Sequence, residues 1–274
     1  MVRLIRAIEL YFNYFVRRRT PVIVYSMKRT GSTALFRSLT SQGEFALTTH
    51  CLDPEKINTV HLSGSARWAC KHIIIPHKRV KIISLIRNPI ENMMSVFARD
   101  QLSSSTDRDN SDNNNMDCLS AEDICQHFIT EYFQSERYVH QLEWFDCEFK
   151  SVLGINIFDY PFDKKRGYVQ FQEGSYDVLI VRTEMDDVKK AYLVSEFLGL
   201  SDFNMLCATS VPNATSGMDP GMPGEKASYS DQYKVLKHHV FIPKKYLDII
   251  LESRFSQHFF PKEILNKTKE RFMS

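Results

Sequence analysis

Two features that would narrow the class of this protein are missing from its sequence. The six cysteines form no C-x-x-C pair and no short cluster with histidine, so neither a zinc site nor a disulfide framework is indicated. Basic residues outnumber acidic ones by only 35 to 33, and a net charge of +2 is too small for general nucleic-acid binding. We therefore expect a cytoplasmic, reducing location, no nucleic-acid partner, and anion affinity that is local rather than global.

A long hydrophobic run is also lacking. Residues 1–20 carry arginines at both ends, and Glu9 and Asn13 interrupt an apolar stretch that is too short and too polar for a membrane span or a signal peptide. The pattern predicts a basic amphipathic helix that packs ahead of the first strand, with peripheral membrane contact as the alternative. We expect residues 21–274 to form one α/β domain with a helical C-terminal part.

A strand, a basic turn and a helix follow one another early in the chain. Residues 22–25 are β-branched or aromatic, as in a buried strand, and residues 34–39 have helical spacing. The turn between them is Lys28, Arg29, Thr30, Gly31, Ser32 and Thr33. First-turn N–H groups, the positive end of the helix dipole and two cationic side chains favour a bound phosphate. Because the turn lacks the first glycine and the lysine of G-x-x-x-x-G-K-[ST], we expect a ligand other than ATP.

Strands and helices continue to alternate along the chain, which predicts a P-loop-like open parallel β-sheet flanked by helices. Further strands are predicted at residues 44–49, 80–86 and 176–182. Helices are predicted at 53–72 with Asp53 as N-cap, from Pro89 onward, at 120–153, and at 188–198 with Glu184 as cap. Residues 103–117 and 210–224 are too polar or too rich in glycine and proline to pack, and we interpret them as loops.

A second basic side chain follows another predicted strand. Arg87 closes the strand at residues 80–86, and Ser95 lies about two turns into the following helix. Ligands of open parallel sheets bind beyond the carboxyl ends of the strands, which is where both the 28–33 turn and Arg87 fall. An arginine fork and a nearby hydroxyl are suitable donors for a second phosphate.

This pairing of a basic Gly-Ser-Thr turn with Ile-Arg87-Asn-Pro and Ser95 resembles the signatures of the sulfotransferases. The resemblance implies that residues 28–33 bind the 5′-phosphosulfate of 3′-phosphoadenosine 5′-phosphosulfate (PAPS), and that Arg87 and Ser95 bind its 3′-phosphate. It also implies that His50, at the end of the second strand, is the base, although Thr48 stands where cytosolic sulfotransferases have lysine. Lys226 resembles a basic loop residue that closes over the co-substrate, with a merely solvated lysine as the alternative.

Most of the chain from about residue 20 onward resembles a narrower group, the sulfotransferase-like bacterial capsular polysaccharide synthesis family of the NKWYS type. The matching stretches are 49–55, 144–148, 154–157, 161–164, 167–168, 225–229, 233–234 and 258–260. We interpret the aromatic residues of the second stretch, Trp144 and Phe145, mainly as core.

Sulfuryl transfer requires positioning, positive charge and a proton acceptor, and no metal is implied. Arg29 and Lys28 would stabilise the leaving phosphate, and His50 would accept the proton of the acceptor hydroxyl, with His61 as the reserve candidate. The leading hypothesis is transfer from PAPS to a hydroxyl of a carbohydrate, such as a capsular polysaccharide. The alternatives are a nucleotide-dependent kinase with a degenerate loop, which would need Mg²⁺, and a catalytically inert capsule-assembly protein that keeps the nucleotide site. The exact acceptor and the oligomeric state stay open.

Overall fold

The computed structural model describes residues 8–56, 63–106, 120–206 and 223–273, with side chains except those of 101–106 and 223–230. The chain divides into two compact units. The first comprises Met1–Arg87 and Trp144–Met218, and the second comprises Asn88–Glu143 and Asp219–Ser274. Each unit is therefore built from two separate stretches of sequence.

The first unit contains a five-stranded sheet in the order β2-β1-β3-β5-β4. Its strands are β1 (Val22–Tyr25), β2 (Ala46–Thr49), β3 (Val80–Ile86), β4 (Tyr168–Glu173) and β5 (Tyr176–Arg182). β2, β1, β3 and β5 are parallel, whereas β4 pairs antiparallel with β5. The prediction of an all-parallel sheet was thus wrong at one edge, where a two-residue loop joins β4 to β5 and Gly174 adopts a φ of +53°.

The strand order places a topological switch point between β1 and β3. From β1 the chain moves to β2 on one side and then crosses to β3 on the other side. The parallel register pairs Tyr25 with Thr49 and Ile86 with Arg182, so the carboxyl ends of these strands lie at the same edge of the sheet. In open α/β sheets this edge, at the switch point, is where ligands bind.

Several of the helices are irregular, because an α-helix adjoins a five-residue π-helical turn. The α-helices are α1 (Ser32–Ser41), α2 (Gly64–Ala69), α3 (Pro89–Thr106), α4 (Ala121–Ile129), α5 (Tyr138–Leu142), α6 (Ser151–Leu153), α7 (Asp187–Leu198), α8 (Pro223–His239), α9 (Lys244–Glu252), α10 (Arg254–Phe259) and α11 (Lys262–Phe272). The π-helical turns are Phe12–Val16, Cys70–Ile74, Thr130–Gln134 and Asp146–Lys150, and 3₁₀ turns span Pro54–Lys56 and Ile157–Asp159. Among the described residues, no helix is both long and apolar enough to cross a membrane.

Helices flank both faces of the sheet in the first unit. On one face, alternate strand residues such as Val22, Val24 and Leu85 form a buried cluster with Leu35 of α1 and Phe197 of α7. On the other face, the ring of Tyr25 stacks on Phe149 at a centroid distance of 5.2 Å and meets the edge of Trp144 at 5.1 Å. This alternation is the period of two that a strand buried on both faces requires.

The second unit is helical. In this unit α8 packs against α3 and α4. The buried rings of Phe97, Phe128 and Phe133 form an aromatic cluster in the interior of the unit. Asn88 caps α3 by accepting the N–H of Ile90 at 3.1 Å, and its amide donates to Thr268 of α11 at 2.9 Å.

Several helix boundaries differ from the prediction, because side chains other than the predicted ones cap the helices. Asp53 caps only the 3₁₀ turn Pro54–Lys56, and α2 begins later, where Ser63 accepts the N–H of Ala66. The predicted helix at 120–153 is interrupted, with Glu136 in the left-handed region at a φ of +58°. Asp186, not Glu184, caps α7 by accepting the N–H groups of its first turn.

The two predicted loops are shorter than expected within the described residues. α3 continues to Thr106, so residues 103–106 are helical, and residues 107–119 lie outside the described part of the chain. α8 begins at Pro223, so Lys226 belongs to a helix rather than to a glycine-rich loop. A proline near the helix start explains this boundary, since its missing N–H costs nothing there. The side chain of Lys226 and all of His61 lie outside the described residues.

Candidate functional site

The turn that follows β1 has an unusual backbone conformation. Arg29 has a φ of +63° and Gly31 a φ of +84°, with Thr30 between them outside the positive range. Alternation of this kind turns successive N–H groups inward and is typical of anion-binding nests. Thr30 is buried, and its hydroxyl donates to the carbonyl of Met27 at 3.0 Å, which holds the turn in this shape.

Helix α1 begins directly at this turn. The carbonyl of Gly31 accepts the N–H groups of Ala34 at 3.0 Å and Leu35 at 3.2 Å, and no side chain caps the helix. The N–H groups of Ser32 and Thr33 precede these first helical bonds and point out of the positive end of the helix dipole. A Cβ atom on Gly31 would meet nothing within 4 Å, so the space beside Gly31 is open. The ten-residue helix thus presents backbone donors to a space that can hold an anion.

Arg87 links this turn to the end of β3. Its Nη1 donates to the carbonyl of Arg29 at 3.3 Å, across the gap between the two neighbouring strands. The bond holds Arg29 in its left-handed conformation and places a second guanidinium beside the turn at residues 28–33, which together with the first turn of α1 is called the cradle below. The structure therefore places Arg87 with Lys28, Arg29, Gly31 and the first residues of α1 in the first unit, with Lys28 exposed and Arg29 half-buried.

His50 ends β2 at the same sheet edge. Its Nδ1 lies 2.6 Å from the carbonyl oxygen of Ser26, and because a carbonyl can only accept, Nδ1 must carry the proton. Nε2 is then the basic nitrogen of the neutral ring. Burial lowers the pKa of His50, the Ser26 carbonyl opposes this shift, and the positive charge of Lys28 reinforces it. A half-buried neutral imidazole at a ligand-binding edge can accept a proton near neutral pH.

Two side chains that the sequence did not assign to the site hold the backbone around His50. Trp144 Nε1 donates to the carbonyl of His50 at 3.2 Å. The buried carboxylate of Glu148 accepts the N–H of Leu52 at 3.2 Å and the hydroxyl of Tyr25. Burial, together with the Glu148 carboxylate, raises the pKa of Tyr25, so its hydroxyl stays a donor. The available signals in the sequence were a glutamate within an aromatic segment and the family resemblance of residues 144–148.

The nearby thiols are structural rather than reactive. Cys70 Sγ donates to the carbonyl of Leu52 at 3.1 Å, and burial raises its pKa to about 12. Burial also raises the pKa of Cys51. Thiols with raised pKa values carry little thiolate and are poor nucleophiles and metal ligands. In the described part of the chain, no group of three or more His, Cys, Asp or Glu side chains could hold a metal ion.

Ser95 and Lys226 are not in the first unit. Ser95 is a buried residue of α3, and Lys226 belongs to α8, and both helices are in the second unit. The role of Ser95 toward the 3′-phosphate and that of Lys226 in closing over the co-substrate stay sequence predictions.

Comparison with known families adds one finding. Residues 121–261, just over half of the 274 residues, match the family NKWYS, described as "Putative capsular polysaccharide synthesis protein". Curated proteins and solved structures give no match. The matched stretch includes Trp144 and Glu148 but begins after the cradle, His50 and Arg87. On the extent of this match, the chain belongs to the NKWYS capsular polysaccharide synthesis family.

Proposed function

We propose that this protein is a sulfotransferase that moves a sulfuryl group from PAPS to a hydroxyl of a carbohydrate acceptor. One observation carries the proposal: a nest-and-helix cradle, an arginine from the adjacent strand and a neutral histidine lie at one carboxyl edge of a parallel sheet. Membership in a capsular polysaccharide synthesis family supports the carbohydrate as acceptor. In a cell this activity would belong to the cytoplasm.

The cradle fits an anionic co-substrate. The open space in front of Gly31 and the donors of Ser32 and Thr33 suit the 5′-phosphosulfate, and Lys28 and Arg29 supply full positive charge. The co-substrate contributes an activated sulfuryl group on a phosphate leaving group. The backbone donors are held by the fold before ligand arrives, so they stabilise charge on the leaving phosphate without reorganisation. The Arg87 guanidinium adds positive charge for the same ligand, while its contact with the Arg29 carbonyl keeps the turn in shape.

His50 acts as the base in this proposal. Nε2 accepts the proton of the acceptor hydroxyl as its oxygen forms a bond to sulfur, and the bond between sulfur and the bridging oxygen of the leaving phosphate breaks. The positive imidazolium that forms is stabilised by the Ser26 carbonyl, which accepts from Nδ1. Adenosine 3′,5′-bisphosphate and the sulfated acceptor are the products, and the ring returns its proton to solvent.

Calorimetric titration with adenosine 3′,5′-bisphosphate tests the binding half of the proposal. We expect Arg29→Ala and Arg87→Ala each to weaken binding by about tenfold to a hundredfold, the range for a lost charge-assisted hydrogen bond. Arg79→Ala is the matched control, because Arg79 precedes β3 at the opposite edge of the sheet and pairs with Asp177 at 3.3 Å. The absence of binding by the parent protein, or equal losses in all three variants, would overturn the assignment.

The catalytic half is tested by transfer of labelled sulfuryl from PAPS to a panel of polysaccharides, with His50→Ala as the variant. Turnover that falls in His50→Ala while bisphosphate binding persists supports the proposed base. Nucleotide binding without turnover on any acceptor would favour the inert assembly protein. Phosphoryl transfer from ATP that chelation abolishes would establish the kinase instead.

A further inference from the structure

An apolar stripe is exposed along the helical segment at residues 8–16. Ile8, Tyr11, Phe12, Phe15 and Val16 are between 37% and 61% exposed. Their positions follow the spacing i, i+3, i+4, i+7, i+8, which normally marks the side of a helix that faces a protein core. Here that side faces solvent.

The opposite side of the segment is the one that packs. Leu10 is buried, the Tyr14 hydroxyl donates to the carbonyl of His72 at 3.1 Å, and its ring meets the edge of Trp68 at 5.1 Å. Phe15 adds an edge contact with the His72 ring at 5.5 Å and is the least exposed of the stripe. Tyr14 thus attaches the segment to Trp68 of α2 and to His72, while the stripe residues stay largely exposed.

Positive charge lies at the end of the stripe. Arg17 and Arg18 are exposed, and the guanidinium of Arg17 lies 5.0 Å from the centre of the Phe12 ring. Arg19 is engaged differently, since it contacts Glu44 at 3.4 Å and the carbonyl of Gly43 at 3.0 Å. Lys71, next to the His72 that receives Tyr14, is also exposed.

We propose that this surface, Ile8, Tyr11, Phe12, Phe15 and Val16 with Arg17 and Arg18, docks the protein on an anionic lipid surface. Aromatic and aliphatic side chains insert at the boundary between headgroups and acyl chains, and arginines bind the lipid phosphates. The charge decides between occupants: an anionic surface neutralises the two guanidinium groups, whereas a second copy that docked through the same surface would bring more of the same charge. Lipid docking holds the enzyme where membrane-linked acceptors are presented, and it does not depend on the reaction catalysed.

Co-sedimentation of the full chain with vesicles tests this proposal. Vesicles of equal parts phosphatidylcholine and phosphatidylglycerol should bind the protein, and vesicles of phosphatidylcholine alone should bind it far less. Added salt should release it, because the arginines act through screened charge. Replacement of both arginines, Arg17→Gln with Arg18→Asn, should lower the partition coefficient by about fivefold for each arginine.

The contribution of the apolar side chains to lipid docking is tested by the triple variant Tyr11→Ser, Phe12→Ser, Val16→Ser. This variant leaves Leu10 and Tyr14, which pack on the protein, unchanged. We expect a loss on the order of a hundredfold in partitioning, with an unchanged circular dichroism spectrum. The control replaces Val188 and Tyr192 with serine, because both are highly exposed on α7 of the same unit. No binding to anionic vesicles, equal binding by the triple variant, or a dimer that the triple variant abolishes would each overturn the proposal.

Discussion

Protonation of His50 should couple the stability of this protein to pH. Burial lowers the pKa of the folded ring below its ordinary value of 6.5, so the unfolded chain binds more protons between the two pKa values. Stability is therefore unaffected by His50 well above pH 6.5, and it falls as the pH drops through 6.5 toward the folded pKa. The direction follows from the sign of the shift and requires no knowledge of the reaction.

The size of this effect has an upper limit. One group that binds a proton only in the unfolded state changes the free energy of unfolding by at most about 1.4 kcal/mol for each pH unit. Integrated from pH 7.5 to pH 5.5, around an unfolded value of 6.5, the contribution of His50 is at most about 1.4 kcal/mol in total.

His50→Asn isolates this contribution. The asparagine amide keeps a donor near the position of Nδ1 for the Ser26 carbonyl, and it does not titrate. Urea unfolding at pH 7.5 and 5.5 gives the loss of stability in each protein, and the loss should be greater in the parent than in the variant. Other titrating groups, such as His72, whose pKa burial also lowers, cancel in the difference. Equal losses in the two proteins would refute the buried, neutral His50 described above.

Three further predictions concern the surroundings of this histidine and the helix starts. Glu148→Ala should cost about 3 kcal/mol of unfolding free energy in urea titrations, because it leaves the Tyr25 hydroxyl and an N–H buried without an acceptor, and Glu148→Gln should cost less. Gly31→Ala should cost only about 1–2 kcal/mol of stability, for its φ of +84°, yet weaken bisphosphate binding in calorimetry, since the new methyl enters the open space of the cradle. Asp186→Ala should lower the free energy of unfolding by about 1 kcal/mol in urea titrations through loss of the α7 cap.

Three of the four parallel strands could be predicted from the sequence to the residue, whereas β2, predicted at residues 44–49, spans Ala46–Thr49. β1, β3 and β5 are built around apolar runs, because a strand covered on both faces needs mostly apolar side chains. β4 was not predicted, since it lies at an edge and mixes polar with half-buried residues. The Gly174–Ser175 pair between two such runs was the available signal, as a two-residue hairpin loop favours glycine at its first position.

The parts of the site that depend on local sequence could be predicted, and the parts that depend on packing between distant segments could not. A glycine before a helix and a basic turn after a strand identify the cradle, because both properties are local. The Arg87–Arg29 contact follows only from strand order, which places β3 beside β1. Glu148 could not be found in this way, since helical spacing indicates which side of a segment is buried but not which strand end its carboxylate will meet.

The position of Glu148 also bears on how the matched family stretch relates to the site. The cradle, His50 and Arg87 all lie before residue 121, where the match begins, so the match itself carries no information about them. Trp144 and Glu148 lie within the match, and both bind backbone or side chains at the ends of β1 and β2. A tryptophan that served only the core would not have to donate a hydrogen bond to the His50 carbonyl, as Trp144 does. Burial of a glutamate costs folding free energy unless its carboxylate is hydrogen-bonded, as that of Glu148 is. Two side chains of the family stretch thus hold the backbone around His50. In the proposed reaction, loss of Glu148 should therefore lower turnover more than it lowers bisphosphate binding.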